Sequence, residues 1–148
     1  MAPYTITVRV YQTNPDAFFS IVEQTVWNFA NGGTWTVASD VGVHVLTMGG
    51  SGTSGTLRFV SSTTGERFLV ALGVHNYARW CDIHTDLAEN NTGTVLHPEY
   101  YKAGTHQTAQ REKTLADFAT TDSVRGRKIE VKYVVAEGNN LTANIIIG

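Results

Sequence analysis

Two stretches hold the residues best suited to chemistry. LTMGGSGTSGTLRF, residues 46–59, sets Gly49, Gly50, Gly52 and Gly55 among Ser51, Thr53, Ser54 and Thr56, with apolar residues on both flanks. GVHNYARWCDIHTDL, residues 73–87, gathers His75, Asn76, Tyr77, Trp80, Cys81, Asp82 and His84. A phosphate cradle is the first chemistry to test in the glycine-rich stretch. Gly50 and Gly55 have the Walker separation, but Thr56 stands where a Lys must neutralise phosphate charge. The dinucleotide pattern G-x-G-x-x-G is present at 50–55, yet it should open a helix, and TLRFVSS reads as a strand. Two readings remain. One is a loop offering backbone N–H groups and hydroxyls to a neutral polar ligand. The other is a bulged hairpin turn in which Gly supplies positive φ.

The second stretch excludes more than it selects. His75, Cys81, Asp82 and His84 make no second short-spaced pair of metal ligands, so no metal and no cofactor is expected. Cys81 beside Trp80 reads as a buried, inert thiol rather than a nucleophile. Asp82, Asp86, Glu89 and Glu99 are available, but no spacing selects two of them as an acid–base pair for glycoside hydrolysis. No enzyme activity is therefore expected. What the cluster does suit is a sugar. Asn76 both donates and accepts, His75 does either, and Asp82 accepts strongly. Tyr77 and Trp80 have flat apolar faces with a polar tip. The alternative places Tyr77 and Trp80 in the core and makes His75 a satisfied interior histidine.

The elements that position these stretches are mostly strands. TITVRVYQ (5–12) alternates Ile6, Val8 and Val10 against Thr7, Arg9 and Tyr11. The same pattern recurs at 43–48, 56–62, 67–75, 128–138 and 141–148. Residues 15–30 place Phe18, Ile21, Val22 and Val26 at helical spacing, with Asn14 as N-cap and Pro15 at the first position, and so predict a helix. A second, weaker helix or loop is expected over 107–119. The stretch 82–106 reads as irregular, with Pro98 arguing against a central strand. Turns fall at 30–33, 64–65 and 138–140. Many short strands with few helices predict a mainly β single domain over 1–148, a sandwich or barrel.

Composition bounds the partners. A net charge of −2 over 148 residues argues against nucleic acid and against a purely electrostatic hold on a membrane. One cysteine excludes an intramolecular disulfide. The opening MAPYTITVRVY lacks a secretory apolar region, which predicts a cytoplasmic protein.

RVYQTNP (9–15), VWNFANGGTW (26–35), LTMGGSGTSGTLRF (46–59), GVHNYARWCDI (73–83) and VAEGNNLTANIIIG (135–148) together resemble the fungal fruit-body lectins of the Agaricus bisporus type. The resemblance runs from one end of the chain to the other. It implies an actinoporin-like β-sandwich of two sheets joined by a short helix–loop–helix element. It also implies a non-enzymatic, cytosolic homotetramer with a defence or storage role, whose partners are glycans and glycoproteins. The implied ligand is galactose-β1,3-N-acetylgalactosamine, the Thomsen–Friedenreich disaccharide, held by Ala30, Asn31, Ser51, Gly52, His75 and Asn76. A second, N-acetylglucosamine site is implied at Asp82, Ile83 and Thr85. There the family adds an Arg and a Tyr, and this chain, with one apparent extra residue, has His106 and Phe118 in their places. Gln107 takes the Arg position if the alignment shifts by one. Because a histidine donates from both nitrogens only when protonated, the second site is expected to be weaker or altered, and pH-dependent. The competing function for such a fold is a pore-former. That reading needs an amphipathic helix ahead of the sandwich, where this chain starts a strand at once; stable membrane insertion is not expected.

Overall fold

Alternation of apolar and polar residues sets the strands on two facing sheets. The computed structural model describes residues 3–27 and 32–148. β1 (Tyr4–Gln12) buries Tyr4, Ile6 and Val8 and turns Arg9 and Tyr11 to solvent, as period-two patterning requires. It pairs with β4 (Val43–Met48) on one side and, in parallel, with β10 (Asn140–Ile147) on the other. β3 (Gly33–Val37) extends one edge, while β9 (Ile129–Val135) and β8 (Asp117–Thr120) extend the other. The resulting six-stranded sheet has the order β3-β4-β1-β10-β9-β8. The second sheet is antiparallel, in the order β2-β5-β6-β7, from β2 (Phe19–Trp27), β5 (Ser54–Ser61), β6 (Arg67–His75) and β7 (Ala78–His84). Between the sheets lies the main core, including Ile6, Leu46, Leu57, Phe59, Val70, Val131 and Ile145.

The link from β7 to β8 carries the helical element. It comprises α1 (Gly93–Leu96), a 3-10 segment (His97–Tyr101) and α2 (His106–Glu112). This element covers the outer face of β6 and β7. Leu69, Ala71 and Trp80 form a second apolar cluster there with Leu87, Leu96 and Tyr100. β6 is consequently buried on both faces, which explains its unbroken apolar run. Thr105 caps α2, its hydroxyl accepting the Thr108 N–H at 3.0 Å.

Three expected stretches differ. Residues 19–27 of the predicted helix form β2 instead, while 28–30 fall outside the described residues. Ile21, Val22, Thr25 and Val26 are β-branched and stiff at χ1, which favours a strand. A bulge between Ile21 and Glu23 breaks the alternation and produces the apparent helical spacing. Asn14 does hold a backbone N–H, that of Asp16 at 2.8 Å, in an Asx turn rather than a helix cap. The weaker helix expected over 107–119 is α2 at its start and β8 at its end. Within 82–106, ordered turns of helix replace the expected irregular run, with Pro98 at the start of the 3-10 segment.

Candidate functional site

The glycine-rich stretch ends β4 and begins β5, and its backbone is fastened to β6. The Gly52 N–H donates to the Val74 carbonyl at 2.8 Å, and the Val74 N–H donates to Thr53 at 3.1 Å. Gly52 has φ of +100°, a conformation an L side chain rarely adopts. Gly55 serves a different need, since a Cβ there would sit 2.7 Å from the Trp35 ring. This pinning sets Ser51 and Gly52 beside the β6–β7 hairpin, whose two connecting residues are Asn76 and Tyr77. Ser51 Oγ accepts the Tyr77 N–H at 2.9 Å. Four of the expected disaccharide residues, Ser51, Gly52, His75 and Asn76, therefore meet at one end of the sandwich. Ala30 and Asn31 lie outside the described residues. Their neighbour Gly32 accepts the Gly49 N–H at 3.0 Å, at the head of the same loop.

His75 is held by a residue that sequence reasoning missed. Arg111 Nη1 donates to His75 Nδ1 at 2.7 Å. The same guanidinium donates from Nε to the Tyr100 carbonyl at 2.7 Å and lies 4.7 Å above the Tyr101 ring. Burial, and then the Arg111 charge, hold His75 below its ordinary pKa, while Glu112 pulls weakly the other way. Arg has no acceptor, so Nδ1 must accept and the imidazole proton sits on Nε2. Nε2 lies 3.3 Å from the Asn76 side-chain amide. That pairing calls for the amide oxygen of Asn76 on this side, leaving its NH2 turned outward. The cluster thus offers outward donors in a fixed orientation. Arg111 falls on α2, 36 positions beyond His75, and no local spacing signals the pair.

Behind the loop, Ser54 Oγ meets both His97 Nε2 at 2.8 Å and the Tyr101 hydroxyl at 2.7 Å. His97 Nδ1 meets Thr25 Oγ1 at 2.7 Å. Burial lowers the His97 pKa to about 3, so this histidine is a neutral structural link.

The second expected site also converges. Asp82, Ile83, Thr85, His106 and Phe118 line one concavity of about 230 Å³, along with Gln107. Both residues that could take the Arg position are therefore on its wall. The Asp82 carboxylate is nearly buried and accepts the Tyr100 hydroxyl at 2.7 Å. Burial raises its pKa, against the opposing pull of that hydrogen bond. His106 Nε2 lies 3.3 Å from the Gln110 side chain. Trp80, weighed as a sugar platform, is instead fully buried beneath the helical element. Cys81 is buried too, and its thiol is pushed up to about 12, chiefly by burial, which suits an inert role. A larger, apolar concavity of about 390 Å³ opens between β1, β2 and β4 and contains none of the expected residues. Among the described residues no helix is long and apolar enough to cross a membrane.

Comparison with known proteins gives one consistent answer. A family described as "Fungal fruit body lectin" matches residues 1–145. The Boletus edulis lectin is 57% identical over 144 residues, covering 97% of each chain. The wild-type Xerocomus chrysenteron lectin has a solved structure similar to this one, with a TM-score of 0.92 and 57% identity over 99% of this chain and 100% of that chain. A form of that lectin with three methionine substitutions gives a TM-score of 0.93 at 58% identity, over 99% of each chain.

Proposed function

This chain belongs to the fungal fruit body lectin family, and from that membership we propose that it binds galactose-β1,3-N-acetylgalactosamine at the Ser51, Gly52, His75 and Asn76 cluster. The observation that carries the reading is the Ser51–Tyr77 bond, which closes the glycine-rich loop onto the hairpin bearing His75 and Asn76. Small residues let backbone groups approach sugar hydroxyls. Asn76 and Ser51 read hydroxyl direction, because a misdirected hydroxyl leaves a partner unpaired at about 1–3 kcal/mol. We further propose N-acetylglucosamine binding at the Asp82 concavity, weakened by His106 and Phe118. The supporting observation is that all five expected residues line that one space. The working form in this reading is a cytosolic homotetramer, in which repeated weak sites act together.

A glycan array followed by calorimetric titration tests the specificity. Asn76 sits at φ of +48°, so Asn76→Gly removes the amide without straining the turn. It is expected to abolish disaccharide binding, leave thermal unfolding within a few degrees, and leave N-acetylglucosamine binding intact. Unchanged disaccharide affinity in the folded variant removes Asn76 from the site.

A further inference from the structure

The β6–β7 hairpin turns through only two residues, since His75 pairs directly with Ala78. Both residues of the turn have positive φ, +48° at Asn76 and +64° at Tyr77. This is the geometry of a type I′ turn, whose favoured sequence is Asn followed by Gly. Asn76 obeys that preference. Tyr77 does not, for it places a Cβ and an aromatic ring where the backbone favours glycine. The fold recovers little from that ring, because Tyr77 is 74% exposed. Among the described residues Tyr77 is fastened by its main-chain N–H, which donates to Ser51 Oγ at 2.9 Å, and a glycine would supply the same donor. Tyr77 is therefore a strained, exposed aromatic that the turn does not need, next to Asn76 in the chain and bonded through its main chain to Ser51.

We propose that Tyr77 is a specificity-determining platform of the sugar site, its ring packing against the apolar C–H face of a bound galactose-type hexose. The proposal rests on the reading of the Ser51–Asn76 cluster as that site. It assigns a division of labour: Ser51, His75 and Asn76 read hydroxyl directions, while Tyr77 reads the ring face. Hexoses whose axial hydroxyls roughen that face lose the packing. Aromatic packing of this kind adds to area burial, and its loss is expected to weaken binding by about tenfold.

The test titrates galactose-β1,3-N-acetylgalactosamine into the full chain as wild type, Tyr77→Gly, Tyr77→Asn and Tyr77→Phe, with thermal unfolding of each. Tyr77→Gly is expected to unfold at the same or a higher temperature than wild type and to bind about tenfold more weakly. Tyr77→Asn, which tolerates the same backbone, should bind as weakly as the glycine variant. Tyr77→Phe should stay within about twofold of wild type. The proposal is overturned if Tyr77→Gly or Tyr77→Asn keeps wild-type affinity, or if Tyr77→Phe is as weak as they are. A marked fall in the unfolding temperature of Tyr77→Gly also overturns it, by making the ring structural. Wild type that binds no galactoside overturns the site reading itself, and this role with it.

Discussion

His97 joins strands through two hydroxyls, Thr25 on β2 and Ser54 on β5, and does so as a neutral ring. Its pKa of about 3 in the folded chain compares with about 6.5 for an exposed histidine. Above pH 6.5 both forms are neutral and the stabilisation is fully present. As pH falls below that value the unfolded chain takes up a proton that the folded chain refuses, so stability falls until pH reaches about 3. Between pH 7 and pH 4 this group alone should remove about 3 kcal/mol. Asp82 acts in the opposite sense, because its raised pKa lets the folded chain protonate first. Glu66, held low first by its hydrogen bond to Arg127 and then by the charges of Arg127 and Arg125, adds its own loss at more acid pH. Urea unfolding across this range is expected to show the decline, with a shallower slope in His97→Gln despite its lower stability at pH 7. Equal slopes for the two proteins would show that His97 is not the group responsible.

Elements were legible where period-two alternation was clean. β1, β4, β5, β6, β9 and β10 correspond to expected strands, because one face of each meets the main core. β2 was misread through its bulge, and the short edge strands β3 and β8 carry too few residues for alternation to register. β7 was hidden for another reason. The helical element buries its outer face, so Trp80 and Asp82 are covered and no polar face remains to mark the strand. The same cover decides between the two readings of Trp80 in favour of the core. The expected site residues come from family motifs alone, whereas Arg111 leaves no signal in the sequence because its link to His75 exists only once α2 has docked. Close approach of β5 to β6 is a further tertiary demand. A Cβ on Gly73 would lie 2.5 Å from that of Ser54 and 2.7 Å from the Thr53 carbonyl. Gly73→Ala should therefore cost about 1–3 kcal/mol, read as a lower denaturation midpoint with an unchanged m-value. It should also weaken disaccharide binding, since the displaced backbone carries Ser51 and Gly52.

On the scale of the whole molecule, the two expected sugar sites share the helical element, and the second also draws on β8 of the larger sheet. Arg111 on α2 steadies His75, while His106 at the other end of the same helix lines the Asp82 concavity. A single protomer with shallow sites binds weakly, and cross-linking needs several copies. Sedimentation of the purified protein is expected to give a tetramer at concentrations that agglutinate cells, and a monomer there would refute the multivalent reading. The parallel pairing of β1 with β10 has a consequence for biosynthesis. Thr5 lies in register with Asn140, and Thr5 Oγ1 donates to Asn140 Oδ1 across 135 positions of sequence. During translation β1 must wait, half-paired with β4, until β10 is made. Until residues 140–147 have been made, the middle of the larger sheet presents an open edge along β1. Closing so long a loop is slow, and an unpaired strand is prone to join the wrong chain. Slow synthesis of residues 140–147 is therefore expected to lengthen the time for which β1 can pair with another chain.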